Sequence, residues 1–445
     1  MKRILVSLAV LANLASLDTQ AQPKQWSLRD CCDYAVTHNI SIKQKENSYR
    51  QQEIRLNTAK NSRLPDVSGS VGQNFSFGRG LTADNTYSNT NTSSTSFQLG
   101  ASVPIFTGFQ IPNQIKLEKL DLEAATADLE KAKNDIRMQV AEAYVQILYD
   151  MEIADVAHRQ IEIDSMQVAR LEAFVKNGKA AEAELSQQKA TLANSHLTAT
   201  QADNNTRLAI LTLTQILELP TPEGFSIVRP SIDTIETIST IVTIVTPDQI
   251  YAEALGVKPE IASQQLKLKG SEYNIKVARA GYYPTLSASG GLGTNYYTTS
   301  GFKADGFGTQ LKNNFSQYIG LNLNVPIFNR FQTRNNIRNA KIERETLQLQ
   351  LDNTKKILYQ EIQKVYYNAL NAQSKEEKSR EAVKSSQDAF TLMQAKYENG
   401  KANITEFNES KNNYLRAESD LIQARYENIY QHALIEFYRG KELNF

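Results

Sequence analysis

The period of the apolar residues changes along the first half of the chain, from a helical spacing to a two-residue spacing and back. Apolar residues recur every three or four positions from about Ser27 to Arg63, and this stretch ends at Pro65. From there to Phe106 they recur at every second position. The first spacing is that of one face of a helix, and the second is that of a strand with one apolar face. The pattern therefore predicts a helix followed by strands at 66–79 and 95–106.

A very long helix is predicted next, because residues 113–177 contain neither glycine nor proline. Roughly 65 helical residues span about 100 Å at a rise of 1.5 Å per residue, and the apolar positions follow the three- and four-residue steps of a coiled coil. Gly178 follows, where a glycine can take the left-handed conformation that ends a helix. We expect the chain to turn there and to return as a helix over about Ala181 to Leu217.

The second half of the chain repeats this plan about 222 residues later. Residues 103–106, Val-Pro-Ile-Phe, recur at 325–328, and Asn177-Gly178 recurs as Asn399-Gly400. Self-similarity at a fixed offset indicates a tandem duplication. The second copy is predicted to contain the same elements: a first helix over about Thr246 to Ala280, strands at 285–297 and 315–328, a long helix ending at 399, and a returning helix over about Asn403 to Tyr438.

Each predicted strand has one apolar face and one polar face whose side chains are mostly small or hydroxylic. Runs of about 10 to 13 residues with a two-residue period are typical of strands that cross an outer membrane. A soluble antiparallel sheet has the same alternation, so that interpretation stays open. The connecting segments Gly80–Thr95 and Thr298–Asn314 are rich in polar residues and glycine, and they are predicted to be surface loops.

Four strands are too few to close a barrel, whereas three copies of the chain supply twelve strands around a water-filled pore. Two copies would give eight strands with an interior filled by side chains. The sheet therefore requires an oligomer, and a duct favours the trimer. The predicted fold is mainly α with a β part: a long coiled-coil-like α-helical barrel plus a four-strand contribution to a trimeric 12-stranded transmembrane β-barrel. Two tandem structural repeats, 22–218 and 248–445, are joined by a linker at 219–247.

The first residues of the chain have the pattern of a secretory signal peptide. Lys2 and Arg3 precede an apolar stretch from Ile4 to about Leu17, and the small residues Thr19 and Ala21 follow. A short basic segment, an apolar core and small residues at the cleavage site are the three parts of such a signal. Residues 1–21 are therefore predicted to be a signal peptide.

Charge and composition mainly exclude functions. The formal net charge is +1, and the absence of a dense basic stripe in the sequence argues against nucleic acid as a partner. The four histidines are scattered, without cysteine or carboxylate at metal-ligand spacing. Cys31 and Cys32 are adjacent, a spacing that rarely forms a disulfide without strain. We therefore expect a protein that is not an enzyme and that uses no metal or cofactor.

The chain resembles the TolC-like outer-membrane factor family over almost its whole length after the predicted signal. The motifs that carry the resemblance occur once in each half: the strand entries Leu64-Pro65 and Tyr283-Pro284, the strand exits at 103–106 and 325–328, and the Asn-Gly turns followed six residues later by Glu184 and Glu406. The resemblance implies a homotrimer that contacts outer-membrane lipid through a twelve-strand barrel. It also implies a periplasmic helical extension with an equatorial region that includes the linker at 219–247.

The same resemblance implies two protein partners: a periplasmic adaptor that docks onto the helical tips, and an inner-membrane pump. The implied docking residues are those of the two turns, Lys176, Asn177, Gly178, Lys179, Glu398, Asn399, Gly400 and Lys401. Members of the family often narrow the periplasmic end with acidic residues, and Asp388 is the candidate gate residue in this chain. Simple helix capping at the turns and a solvated surface acid at position 388 are alternatives that the sequence leaves open.

These expectations predict an outer-membrane exit duct of a tripartite efflux or type I secretion system, through which cargo passes by passive diffusion. A secreted or periplasmic coiled-coil scaffold without channel activity is the alternative. The two differ in an observable property, because the duct requires detergent for extraction and the scaffold does not.

Overall fold

The computed structural model describes residues 25–81, 85–230 and 245–443. The predicted signal peptide at 1–21 lies outside the described residues, as does part of the predicted linker at 219–247. The described chain is mainly helical with a smaller strand part, which confirms the predicted fold class at that level. Among the described residues, no helix combines the length and the hydrophobicity needed to cross a membrane.

The described ranges contain nine α-helices and six β-strands, each type numbered in chain order. The helices α1 to α9 span Leu28–His38, Ile40–Asn61, Gln110–Lys176, Glu182–Ile216, Pro247–Val257, Pro259–Arg279, Phe307–Asn313, Gln332–Glu398 and Ile404–Tyr438. The strands β1 to β6 span Gln25–Trp26, Asp66–Leu81, Tyr87–Thr107, Ser226–Ile227, Thr285–Thr299 and Ser316–Asn324.

The two long helices have equal lengths, and so do the two returning helices. α3 and α8 contain 67 residues each, and α4 and α9 contain 35 each. α8 begins 222 residues after α3, and α9 begins 222 residues after α4. Pro112 lies in the first turn of α3, where a missing backbone N–H removes no helical hydrogen bond. Each half of the chain therefore contributes one long and one shorter helix of matched dimensions.

The predicted first helix is broken at Asn39, so the expectation of one continuous helix was wrong. Asn39 has an extended backbone with φ −60° and ψ 132°, and its side-chain oxygen accepts the N–H of Ser41 at 2.9 Å. Its side-chain amide donates to the carbonyl of Ile216 at 3.0 Å. An asparagine that satisfies nearby backbone groups in this way competes with the helix. The second half breaks at Lys258, because the following Pro259 disfavours helical backbone before it.

The four long strands form one antiparallel sheet in the order β2-β3-β5-β6. β2 pairs with β3 from Asp66 opposite Ser102 to Leu81 opposite Tyr87. β5 pairs with β3 on one side and with β6 on the other. The two hairpins of the chain are thus joined into a single sheet, of which β2 and β6 are the edges.

β3 is longer than predicted, and the predicted surface loop Gly80–Thr95 was wrong over most of its length. Strand structure begins at Tyr87, and every residue from Tyr87 to Ser102 is paired with β2. Residues 87–95 are mostly polar, but continuous pairing with β2 stabilises them as a strand, because the strand preference of a residue depends strongly on its neighbours. The prediction of a second loop at Thr298–Asn314 was also wrong in part, because this segment contains the short helix α7.

β6 is shorter than predicted, since it ends at Asn324 and not at 328. Pro326 follows, and a proline has no N–H to donate to a neighbouring strand. In β3 the matching motif stays within the sheet, where the pairing shifts between Pro104 and Phe106. β3 is supported by a strand on each side, whereas β6 is paired with β5 alone within the described residues. The same four-residue motif therefore has different strand pairing in the two halves.

The chain divides into two compact units. The sheet unit contains residues 47–128 and 260–354, and the helical unit contains the described residues of 1–46, 129–259 and 355–445. The core of the helical unit is formed by apolar residues of several helices, among them Ile147 of α3, Leu213 of α4 and Ile429 of α9. Close helix packing continues along α3 and α4 through a cluster of four buried alanines, Ala154, Ala157, Ala199 and Ala202.

Candidate functional site

Residues 176–179 and 398–401, which we call the tip turns, have the same backbone geometry. Gly178 has φ +69° and Gly400 has φ +70°, values at which a glycine meets no steric penalty from a Cβ atom. In each tip turn the N–H of the lysine after the glycine donates to a carbonyl five residues earlier at 2.8 Å. This hydrogen bond is that of a Schellman motif, which closes the end of a helix. The glycines therefore stop both long helices as the sequence predicted.

The side chains of the tip turns divide into capping and solvent-exposed groups. The amides of Asn177 and Asn399 each donate to the carbonyl four residues earlier at 2.7 Å, so both asparagines act as helix caps. The charged side chains of both turns are exposed: Lys176, Lys179, Glu398 and Lys401. Four exposed charges, three of them cationic, are thus available to a partner.

Arg170 of α3 contacts the second tip turn, a role that sequence reasoning missed. One terminal nitrogen of its guanidinium donates to the backbone carbonyl of Glu398 at 3.1 Å. The guanidinium carbon also lies 5.3 Å from the ring centroid of Phe174 and 5.1 Å from that of Tyr397, distances typical of cation–π contacts. The structure therefore joins the last part of α3 to the second tip turn through a cation.

Aromatic packing lies directly next to the tip turns. Phe407, in the first turn of α9, is fully buried, and its ring centroid is 4.9 Å from that of Tyr397 and 5.6 Å from that of Phe390. Burial raises the pKa of the Tyr397 hydroxyl, so this group stays protonated and neutral. The start of α9 is fixed by a capping box between Asn403 and Glu406. The second tip turn is therefore held by packing and capping on both of its sides.

Asp388, the candidate gate residue, does not lie in the tip turns. It is an exposed residue of α8, about 15 Å along the helix from Glu398 at a rise of 1.5 Å per residue. Phe390, two positions later, is buried within the chain. The Asp388 carboxylate is thus presented to solvent in a single chain.

A buried ion pair connects three helices of the helical unit. Asp164 of α3 and Lys411 of α9 are both 0% exposed, and the lysine ammonium donates to the aspartate carboxylate. The carboxylate also accepts hydrogen bonds from Gln188 Nε2 at 3.2 Å and from Ser195 Oγ at 2.6 Å, both on α4. Asn408 donates to Gln188 Oε1 at 3.0 Å. We call these five residues the buried polar cluster.

The sequence contains a signal for the buried polar cluster that was overlooked. On α3, position 164 lies seven residues after Ala157, four before Val168 and seven before Leu171, which are all buried and share one face of the helix. On α9, Lys411 lies four residues after Phe407 and four before the buried Leu415. A charged residue at a core position of a coiled-coil pattern indicates a buried polar contact.

The sheet has two faces of opposite character, because directly paired residues of antiparallel strands project on the same side. One side, which we call the apolar face, carries Val67, Val71, Phe75, Phe77, Phe97, Leu99, Val103, Leu286, Leu292, Tyr296, Ile319, Leu321 and Leu323. The other side, the polar face, carries Ser68, Ser70, Asn74, Ser76, Ser96, Gln98, Ser102, Ser287, Ser289, Asn295 and Asn322. Many of the large apolar side chains are exposed in the single chain.

Other chemically reactive groups of the described residues are buried or dispersed. Cys31 and Cys32 are buried and are not joined in a disulfide, and burial raises the pKa of the Cys32 thiol to about 12. Burial lowers the pKa of His432 on α9, so its imidazole is neutral near pH 7. In the described ranges, no three histidine, cysteine, aspartate or glutamate side chains come together in a way that could hold a metal ion.

Comparison with known proteins identifies the family. The sequence model of the family described as "Outer membrane efflux protein" matches residues 34–218 and 250–437, which together make up most of the chain. The chain belongs to the outer membrane efflux protein family. This membership places the protein in the outer membrane and assigns it to efflux, and it does not favour the scaffold alternative. The family consists of transport proteins and not of enzymes.

Individual relatives of this efflux protein agree with that assignment. The outer membrane efflux protein BepC of Brucella suis is 22% identical over 95% of this chain and 87% of its own length. The fold matches that of the Campylobacter jejuni CmeC outer membrane channel, with a TM-score of 0.75 at 19% identity over 94% of this chain and 87% of that one. It also matches the outer membrane protein VceC of Vibrio cholerae, with a TM-score of 0.75 at 17% identity over 94% and 97%.

Proposed function

We propose that three copies of this efflux protein assemble into an exit duct whose transmembrane part is a twelve-stranded β-barrel. The observation that carries this proposal is the two-faced sheet, on which Ile319 is 95% exposed and Phe77 is 75% exposed. Pairing of β6 of one copy with β2 of the next satisfies both edges, which an isolated sheet leaves open to aggregation. The apolar face then contacts lipid, and the polar face lines a wet lumen.

The long helices continue the duct as a periplasmic α-helical barrel. Each chain contributes α3, α4, α8 and α9, which form two tandem repeats within 22–218 and 248–445, with the linker at 219–247 in an equatorial region. Support comes from the equal helix lengths, from the constant 222-residue offset and from the two separate segments that match the family.

The tip turns are the proposed docking site of a periplasmic adaptor protein, behind which an inner-membrane pump supplies cargo. Their exposed charges and rigid helix ends give a partner a fixed surface of mixed charge. Movement of cargo through the duct is passive diffusion along the polar face, and it is permitted when the tip turns separate. Adaptor binding would supply the free energy for that separation, because a partner shifts a two-state equilibrium only by binding one state more tightly.

The duct is tested by purification in detergent and reconstitution into planar lipid bilayers. We expect a trimer by light scattering that resists dissociation by detergent until heated, and stepwise ionic conductance after reconstitution. A monomer that is extracted into buffer without detergent and gives no conductance would disprove the proposal.

Substitution of either tip-turn glycine, Gly178→Pro or Gly400→Pro, should impair export while leaving the trimer intact. Proline fixes φ near −65° and has no N–H, so it opposes the positive φ and also removes the glycine's backbone hydrogen bond. Drug tolerance of cells that carry the variant, measured beside the amount of heat-resistant trimer, reports the effect. Gly224→Pro is the matched control, because Gly224 also has a positive φ (+75°) but lies outside the tip turns. Normal tolerance in the tip variants would contradict the docking role.

Asp388 is the proposed residue of the periplasmic constriction. Three copies of an exposed carboxylate around a narrow lumen favour cations, so Asp388→Asn should lower the cation preference of the reconstituted duct. Reversal potentials in a salt gradient measure this preference. Asp352→Asn, at another exposed position of α8, is the comparison variant. An equal change in both variants, or none at position 388, would place the constriction elsewhere.

A further inference from the structure

The short helix α7 is attached to the sheet at the end opposite the long helices. It lies between β5 and β6, whereas the other ends of the four strands continue toward α2, α3, α6 and α8. β5 pairs with β6 only as far as Gly293, opposite Ser316. Residues 294–299 of β5 therefore extend beyond the end of β6, and α7 occupies this part of the edge.

Hydrogen bonds fix α7 against β5 as a neighbouring strand would be fixed. The side chain of Gln310 accepts the N–H of Tyr297 at 2.9 Å and donates to the carbonyl of the same residue at 3.0 Å. Thr294 Oγ1 donates to the carbonyl of Leu311 at 2.7 Å, and the Asn314 amide donates to that of Asn295 at 2.8 Å. α7 is thus a fixed part of the sheet unit.

α7 covers the apolar face and not the polar one. Its Phe307 ring centroid lies 5.1 Å from that of Tyr296 and 6.4 Å from that of Phe97, and both of these residues belong to the apolar face. Phe307 remains half exposed, and Phe302, which follows β5, and Phe315, which precedes β6, are also exposed. Exposed aromatic rings therefore occur at the ends of β5 and β6 on the loop side of the sheet.

Charged residues accompany these aromatic rings. Lys303 and Lys312 are exposed, and so is Asp305, whose backbone carbonyl accepts a hydrogen bond from Gln310 at 3.0 Å. At 100° per residue, Lys312 lies on the side of α7 opposite the contact made by Phe307 and Gln310. Aromatic rings with lysines beside them, at the end of an apolar surface, are the features of a segment that lies at a membrane surface.

We propose that Lys303 and Lys312 bind the phosphates of a phosphorylated glycolipid in the outer leaflet, while Phe302, Phe307 and Phe315 pack against the start of its acyl chains. This inference rests on the proposed function, in which the apolar face contacts lipid and the loop side of the sheet faces outward. Lysines near a surface of anionic headgroups are attracted to it, and the effect accumulates with each charge. Asp305 lowers the local net charge but leaves it positive.

Lipid retention by the trimer tests this site. Full-length trimer is reconstituted into phosphatidylcholine vesicles with lipid A or with lipid A stripped of both phosphates, and the lipid retained after re-extraction is counted by native mass spectrometry. We expect wild type to prefer phosphorylated lipid A, and the Lys303→Gln/Lys312→Gln double variant to bind it about tenfold more weakly or worse. Lys341→Gln/Lys364→Gln, at exposed positions of α8, should bind as wild type does.

Four outcomes would contradict the proposal, and they distinguish a failure of the lipid site from a failure of the duct. The glycolipid site is overturned if wild type and the Lys303/Lys312 variant retain equal amounts of lipid A. It is also overturned if wild type retains the stripped lipid as well as it retains lipid A. In both cases normal conductance leaves the duct in place. Displacement of lipid A by free inorganic phosphate alone shows that the lysines recognise phosphate without the lipid, which also overturns the site as proposed. A wild type without conductance or trimer refutes the duct itself, and the site with it.

Discussion

Lys411→Met should destabilise the helical unit by about 3–5 kcal/mol, because it leaves the Asp164 carboxylate buried without its cation. Both side chains are fully buried, so water cannot replace the lost ammonium group. Methionine has nearly the shape of the lysine stem, so the loss reflects charge and not a cavity. Thermal unfolding of the trimer by circular dichroism, at fixed protein and detergent concentration, measures the shift. Hydrogen exchange of the α9 amides shows whether the loss is local.

The control for Lys411 is a second pair that also joins α3 to α9 but is partly exposed. Arg159 contacts Glu418 at 2.6 Å, with 49% and 22% of the two side chains exposed. Pairs of this kind contribute about 0–1 kcal/mol, so Arg159→Met should have little effect. In the double variant Asp164→Leu/Lys411→Met no buried charge remains, and we expect it to be more stable than either single variant. A Lys411→Met loss no larger than that of Arg159→Met would show that the cluster does not hold the three helices.

The helices were predictable where a single residue type determines a boundary. Gly178 and Gly400 stop the long helices at the predicted positions, since a positive φ is a property of the local sequence. The break at Asn39 was not predictable in this way. It depends partly on a hydrogen bond to Ile216, which is 177 residues distant in the chain. The ion pair of the buried polar cluster likewise joins residues 247 positions apart.

The sheet shows the same division between local and distant causes. The alternation of apolar and polar residues assigned most strand residues to the face on which the register places them. The start of β3 at Tyr87 depends on pairing with β2. The position of α7 depends on the side chain of Gln310, which bonds to the backbone of β5 where a neighbouring strand would otherwise pair. Arg170 was missed for a comparable reason, because its hydrogen bond to Glu398 connects the two halves of the chain. A periodic pattern marks Asp164 and Lys411 as core positions, but it does not identify a partner that is distant in the chain.

Ile319→Arg should prevent assembly of the duct. Ile319 lies on the apolar face, opposite Gly290 of β5, in a row that continues through Ala101 of β3 to Val67 of β2. An arginine that faces lipid in an outer-membrane strand costs up to about 2–4 kcal/mol, the value at the bilayer midplane. A trimer contains three copies of the arginine, so this free-energy cost arises at three positions of one barrel. The expected result is loss of the heat-resistant trimer from the outer-membrane fraction, with no conductance after reconstitution.

Asn322→Arg is the matched control, because it places the same charge on the polar face of the same strand. Asn322 is paired with Ser287 and is exposed on the side that the proposed lumen hydrates. An arginine there stays in water, so the trimer should form in normal amount while the ion preference of the duct shifts toward anions. If the lipid and lumen sides were interchanged, Asn322→Arg would abolish the trimer and Ile319→Arg would be tolerated. If the sheet were soluble, neither arginine would impair assembly. That result would refute the proposal that one face of the sheet contacts lipid, and the duct depends on this contact.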